Sequence, residues 1–346
     1  METKNSAYIP DLDVLRAFAA LTVFMWHYLH SERMPAQEVY WPGLAIFEEG
    51  HIGVSLFMVL SGFLFFKITY RKNVRWDIFA LNRMKRIFPL LLITQSMWIA
   101  AGYLGAIPYT PRDFIVGVVQ PTWAGGAWSI AVELHFYLIL PALLWLAYRS
   151  PIFLLGFMIA MIILRTTVPL LQDPILSYYT IIGRIDQFLI GALVFLYWSR
   201  IPRRAGISLF IFFIAYLELF NAGGGHARFL AGEHAYFSNN FIRWTVEGLG
   251  FAGLMIWILK SDWRIKETWL WSAIAWVGTV SYSLYLLHFF VLRVWFRGME
   301  ALDLGTSARM ALLIPCLAST LFMSSISYRQ IEMRFLRMRA KYIEVQ

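Results

Sequence analysis

The sequence predicts an all-α, polytopic membrane bundle of about ten transmembrane helices with both termini in the cytoplasm. Three observations lead there. Of the 346 residues, 59% are hydrophobic and only 15% are charged, against roughly a quarter charged in a soluble domain. A mean hydropathy of +0.60 is more than one soluble core of this length can hide, so lipid must solvate much of the chain. Ten stretches approach the ~20 apolar residues that cross a bilayer, and basic residues crowd into alternate connections between them.

The first stretch, 12–30, resembles a signal peptide in length. It lacks a small-residue cleavage site and contains Arg16 and His27, so it is expected to be kept as the first membrane helix. The next stretches are 51–70 and 87–106, the latter with Pro89 in its first turn, where a missing N–H costs least. Then follow 128–148, 151–170, 183–199, 206–221, 241–260, 274–296 and 309–329. With a cytoplasmic N-terminus, nineteen Lys and Arg fall in inner segments and eight in outer loops and helix ends. That asymmetry fits the positive-inside rule. The net charge of +9 then reflects anchoring loops, and no nucleic-acid partner is expected. No repeat, low-complexity run or soluble domain interrupts the chain, so residues 1–346 are expected to form a single transmembrane domain. The single cysteine, Cys316, lies in an apolar stretch and excludes an internal disulfide; a structural thiol is expected. Two outer connections are longer. Residues 31–50 carry Glu32, Glu38, Glu48 and Glu49, and 222–240 carry Gly223, Gly224, Gly225, His226 and His234. They suit a substrate mouth and, equally, plain solvated linkers.

Chemistry enters where ionisable groups interrupt apolar helices, because each such group is costly there. Arg16 and His27 are eleven residues apart, about 16 Å along one helix face, with Arg16 towards the cytoplasmic end and His27 towards the outer end. Snorkelling to the two headgroup layers is the plain alternative. Glu133 lies one turn into the helix opening at Trp128-Ser129, at a depth like that of His27. A buried carboxylate needs a partner, and an imidazole suits it; a carboxylate on the far nitrogen fixes tautomer and basicity for a base. His135 points elsewhere and is read as structural. Arg83-x-x-Arg86 is either a topology anchor or a phosphate site, since guanidinium forks bind phosphate bidentately. Ser281-Tyr282-Ser283-Leu284-Tyr285-Leu286-Leu287-His288 suggests a polar-lined cavity, with helix-to-helix hydrogen bonding as the alternative. Asp186 is a further charge near the outer face and is expected to pair with Arg184. No metal-ligand spacing, glycine-rich phosphate loop or serine elbow is found.

Taken in order, these segments resemble the acyltransferase 3 family of membrane O-acyltransferases. The resemblance rests on Leu12-Asp13-Val14-Leu15-Arg16-Ala17 with His27, and on Gly53 through Phe63, which includes Ser61. It continues with Arg83-Met84-Lys85-Arg86-Ile87-Phe88-Pro89, Trp128-Ser129 with Glu133, and Tyr282 through His288. Each motif alone is weak, but five in order span nearly the whole chain. Val14, Ser55 and Met58 depart from the residues more usual in the family; none of them is a candidate catalytic group. The resemblance implies transfer of an acyl group, usually acetyl from acetyl-CoA, to a hydroxyl of a cell-surface glycan or lipid-linked saccharide. Larger relatives append a hydrolase-like domain, which this chain is expected to lack.

The expected mechanism combines both arguments. Acyl-CoA enters from the cytoplasm with its phosphates on Arg83 and Arg86, and no cofactor is tightly bound. His27, oriented by Glu133, is the general base; Arg16 holds the donor or closes the inner end. Ser61, Trp128, Asp186, Tyr282, Tyr285 and His288 are candidates for the substrate pocket, and no metal is expected. The partners are acyl-CoA, the saccharide and the bilayer of the bacterial inner membrane, with room for a homo-oligomer. A transporter or flippase of a lipid-linked glycan, whose charges would line a pathway, is the competing class.

Overall fold

A computed structural model describes residues 8–30, 43–120, 122–226 and 240–343. Among these, every regular element is helical, and the one bridge between extended segments joins Val74 to Ile343. Helix α1 (Pro10–Leu29) opens with a proline in its first turn, followed by Asp11 and Asp13. The ring suits a position with no N–H to satisfy, and the carboxylates suit the positive end of the helix dipole. α2 is Gly53–Thr69.

α3 runs from Trp76 to Tyr103, eleven residues earlier than the apolar run begins. Its first turns are amphipathic, burying Phe79 and Asn82, so packing extends the helix beyond the apolar stretch. Pro89 consequently lies inside the helix and not in its first turn.

The chain continues through α4 (Trp128–Arg149), α5 (Pro151–Thr167), α6 (Ile181–Tyr197), α7 (Arg203–Ala222) and α8 (Asn240–Leu259). α9 (Trp269–Thr279) and α10 (Ser281–Ala301) meet at an angle of 69°. α11 (Leu313–Ser327) passes through a π-helical turn, Tyr328–Glu332, into α12 (Met333–Arg337).

Among the described residues, six helices are long and apolar enough to cross a membrane, or seven if the bent pair α9–α10 counts as one span. The expected ten are not all met on that criterion. The stretches 151–170 and 183–199 each fold as 17 residues, the latter with Arg184 and Asp186 buried inside. In α3 the apolar run is interrupted by Thr94, Gln95 and Ser96, and the stretch 274–296 is broken at Val280.

Small residues set the closest helix contacts, as expected where backbones must approach without a hydrophobic drive. A Cβ on Gly62 of α2 would lie 1.9 Å from the Phe188 carbonyl oxygen of α6, and one on Gly191 would lie 2.0 Å from that of Val59. α1 likewise crosses α9 where Gly278 abuts the Asp13 backbone.

The connections sort into two ends. At one, Lys266 pairs with Asp11 at 2.7 Å, Arg71 N–H donates to the Tyr148 hydroxyl, Lys260 donates to the carbonyls of Ser199 and Ile201, and residues 338–343 lie along the start of α3. This is the basic end. At the opposite end the described parts of the two long connections are joined. The Asn221 amide donates to Glu48, and the His226 N–H donates to Glu49 Oε1 at 3.1 Å. Gly225 stands beside Glu49 with φ +58°, a conformation that favours glycine. Residues 31–42 and 227–239, which carry Glu32, Glu38 and His234, lie outside the described residues. Cys316 is a buried free thiol in a separate apolar cluster with Phe24, Tyr28 and Phe296.

Candidate functional site

A cavity of about 850 Å³ reaches from the basic end into the bundle. Arg16, Ser61, Arg83, Arg86, Glu133, Tyr282 and Tyr285 line it, whereas Trp128, Asp186, His27 and His288 do not. Thus five helices, α1, α2, α3, α4 and α10, bring seven of the eleven predicted site residues onto one wall system.

Arg16 is tied to Asp13 at 2.5 Å, one turn before it on α1. Arg83 and Arg86 differ sharply. Arg86 forms an ion pair with Glu332 and lies over the Tyr282 ring. Glu332 is buried, sits in the π-helical turn and also accepts from the Ser283 hydroxyl. Arg83 has no carboxylate partner among the described residues. Its guanidinium lies 5.3 and 5.4 Å from the Phe65 and Phe79 ring centroids, and its Nε is buried without a hydrogen-bond acceptor. A cation held by aromatic faces alone, facing a cavity, is prepared to receive an anion.

Glu133 accepts from the Tyr137 hydroxyl, one turn on, and from Ser61 at 3.3 Å. It makes no contact with His27, so the expected His27–Glu133 pair is not formed. The reason is helix adjacency: α1 packs on α2, α9 and α10, whereas α4 packs on α5, α6 and α2. Equal depth did not mean neighbouring faces. His27 instead faces His288 at 5.1 Å and Phe289 at 4.3 Å between ring centroids. His288 is fully buried. Its Nδ1 is 3.1 Å from the Leu284 carbonyl, and its Nε2 has no partner. Tyr285 links the two regions: it lines the cavity, its hydroxyl bonds Ser129 and the Gly126 carbonyl, both at 2.7 Å, and its ring lies 6.1 Å from that of His288.

Trp128 and Asp186 belong to a second polar cluster towards the opposite end. Asp186 pairs with Arg165 at 2.7 Å and accepts from Thr245, not with Arg184 as expected; residues two apart leave a helix on different faces. Arg184 instead lies 3.7 Å from Glu247 and 3.8 Å from the Trp244 ring centroid, with the Trp128 ring nearby. Arg243 binds Glu247 at 2.9 Å and donates to His51 Nε2 at 2.6 Å. Three buried arginines thus meet Asp186, Glu247 and Glu49, Arg243 lying 3.8 Å from Glu49, as buried cations need partners. Burial pushes the Glu49 carboxyl up to about 7, against the pull of Arg243. His135 Nε2 lies 2.7 Å from the Val118 carbonyl oxygen, a local tie away from the cavity. Among the described residues no group of three His, Cys, Asp or Glu side chains is arranged to hold a metal.

Glu332 and Arg339 were not anticipated as site residues. They lie in a tail whose Arg329, Arg334, Arg337, Arg339 and Lys341 read as anchors, and the signal for Glu332, a carboxylate among cations, is shared by Glu344.

The acyltransferase 3 family, described as an acyltransferase domain, matches residues 9–329. This chain belongs to that family. The acyltransferase 3 match takes in all five motifs that carried the resemblance. ExoZ, an exopolysaccharide production protein of Rhizobium meliloti, is 25% identical over 76% of this chain and 83% of its own length. The peptidoglycan O-acetyltransferase OatA of Listeria monocytogenes is 23% identical over 94% of this chain and 55% of its own. YrhL of Bacillus subtilis, named as a candidate peptidoglycan O-acetyltransferase, is 24% identical over 83% of this chain and 49% of its own. The chain therefore spans about half the length of the Bacillus and Listeria relatives. No solved structure matches it. With its apolar helices, this acyltransferase 3 protein is a multi-pass membrane protein.

Proposed function

We propose that the protein transfers an acyl group, acetyl in the first instance, from acyl-CoA to a hydroxyl of a cell-surface glycan or lipid-linked saccharide. The setting is the bacterial inner membrane, with all ten apolar stretches spanning it and the basic end in the cytoplasm. One observation carries the reading: a cavity at the basic end presents Arg83, a cation without a carboxylate partner among the described residues, and runs inward to Ser129 and Tyr285. The names of OatA and ExoZ support a saccharide acceptor.

In this reading the donor's phosphates stay at Arg83 and the pantetheine arm follows the cavity past Glu133 to Tyr285. The acceptor approaches from the opposite end, where His27 and His288 face each other. His27 takes the hydroxyl proton as the acceptor oxygen attacks the thioester carbonyl. The carbon–sulfur bond then breaks, and the CoA thiolate recovers that proton from His27. Glu133, held by Tyr137 and Ser61, acts in the cavity wall and balances the arginines; it is not the partner of His27.

The test is turnover of radiolabelled acetyl-CoA by the purified protein with a saccharide acceptor. Wild type should release CoA and label the saccharide. Arg83→Ala removes a charged contact of about 1.5–3 kcal/mol, so apparent donor affinity should weaken roughly 10- to 100-fold. Movement of a lipid-linked glycan across vesicles without thioester turnover would favour the transporter reading instead.

A further inference from the structure

The last described residues are not a free tail. Asn82, fully buried on α3, donates its amide to the Ala340 carbonyl at 2.7 Å and accepts the Ala340 N–H at 3.1 Å. Lys85 donates to the Met338 carbonyl at 2.8 Å, and the Arg75 N–H to that of Tyr342 at 2.9 Å. The buried Tyr342 ring meets Phe79 edge-on at 5.4 Å. Side-chain amides that satisfy both backbone groups of one residue fix an irregular segment firmly, because neither group then needs water. Residues 338–343 therefore form a strap across the start of α3, on the turns that carry Arg83.

The strap walls the cavity with Arg339, Ala340 and Tyr342. Arg339 has no carboxylate partner among the described residues; its Nε donates to the Leu336 carbonyl at 3.3 Å. A topology anchor should lie on the exterior, as the exposed Arg329 and Arg334 do. Arg339 is half-buried and faces inwards. Of the arginines on this wall, Arg16 is matched by Asp13 and Arg86 by Glu332, and Arg337 is exposed to solvent. That leaves Arg83 and Arg339 as the sheltered arginines of this wall without a carboxylate partner among the described residues.

We infer that the strap is part of the donor site: Arg339 joins Arg83 in holding the donor's phosphates, and Asn82 positions it by fixing Ala340. The inference rests on the acyl-CoA reading above. The electrostatics agree with it. Burial, and then the like charges of Arg83 and Arg86, hold the Arg339 guanidinium down to about 10, and a multiply charged phosphate group would relieve that crowding. An anionic lipid headgroup offers the same chemistry, so the test must separate the two.

The full-length protein in nanodiscs of zwitterionic lipid would be titrated with CoA and, separately, with S-acetylpantetheine, which lacks the phosphates. Arg339→Gln should weaken CoA binding about tenfold or more, as loss of one charged contact does, and leave S-acetylpantetheine unchanged. Asn82→Ala, which frees the strap without removing a cavity side chain, should weaken CoA in the same direction. Arg339→Lys, which keeps the charge without the fork, should weaken it a few-fold; should Arg339→Gln not fold, parental CoA affinity in Arg339→Lys would overturn the inference. If Arg83→Ala weakens CoA and Arg339→Gln does not, the strap role fails and the donor reading stands. If wild type binds no CoA, the donor reading fails and takes the inference with it. If Arg339→Gln alters only the retention of phosphatidylglycerol, the site belongs to a headgroup and the inference is overturned.

Discussion

Arg83 and Arg86 stand three residues apart on one helix, yet they answer to different forces. Arg86 neutralises Glu332, a carboxylate only 2% exposed. Removing one partner of such a pair leaves an uncompensated buried charge at a cost of about 3–5 kcal/mol. Arg86→Ala should therefore lower thermal stability in detergent strongly, and Glu332→Gln placed with it should restore much of the loss. Arg83→Ala, with no carboxylate to strand, should melt near the parent and fail at the donor instead; equal melting losses in both would remove the distinction. Glu49 gives a pH signature. Its carboxyl is raised from 4.5 to about 7, so the folded state keeps a proton that the unfolded chain releases. The stability this contributes is complete below about pH 4.5 and is lost as pH rises through about 7. Glu49→Gln should flatten that decline in a series of melting curves. At this scale the sequence revealed Arg16 and Glu133 because ionisable groups in apolar runs need a reason, and Arg83 by its spacing from Arg86, which a topology anchor and a phosphate site both explain. It could not reveal partners: depth along α1 and α4 matched His27 to Glu133, but only packing shows that those helices are not neighbours.

The helices themselves were largely readable as apolar stretches, and their failures have local causes. α3 begins at Trp76 because its polar first turns still bury Phe79 and Asn82, a face that a hydropathy count averages away. The break before Ser281 falls at Val280, with φ −93° and ψ 7°; it follows the crossing at Gly278, where α9 meets α1. Packing rather than composition decides both. The tightest packing predicts its own test. Gly191→Leu would push a side chain into the Val59 carbonyl, and Gly62→Leu into that of Phe188. Overpacking of this kind costs about 1–3 kcal/mol or more, so both should lower the melting temperature or the yield of folded protein. Gly156, where an added Cβ would meet nothing within 4 Å, should accept Ala with no loss and a gain in helix propensity. Melting of Gly62→Leu at the parental temperature would contradict the close approach of α2 and α6.

Across the whole molecule, the alternation of basic connections and the two sets of end contacts fit a single orientation. Reporter fusions should place the segment 71–86 and the tail in the cytoplasm and the connection 222–240 outside. Finding 71–86 outside would remove Arg83 from cytosolic acyl-CoA and with it the donor assignment. In the proposed reading such a layout would bring the donor in from the basic end and the acceptor from the other, with Tyr285, which lines the cavity and whose ring lies 6.1 Å from that of His288, between them. What the sequence alone left open was which residues share that interior, because shared depth in ten helices permits many adjacencies. The central claim is that His27 takes the acceptor's proton. The direct measurement is the rate of label transfer from acetyl-CoA to a saccharide by wild type and by His27→Gln, with CoA binding measured on the same preparations. General-base catalysis contributes about 10²–10⁴-fold, so His27→Gln should lose at least that much transfer while binding CoA as the parent does. A folded His27→Gln protein transferring at the parental rate would contradict the account.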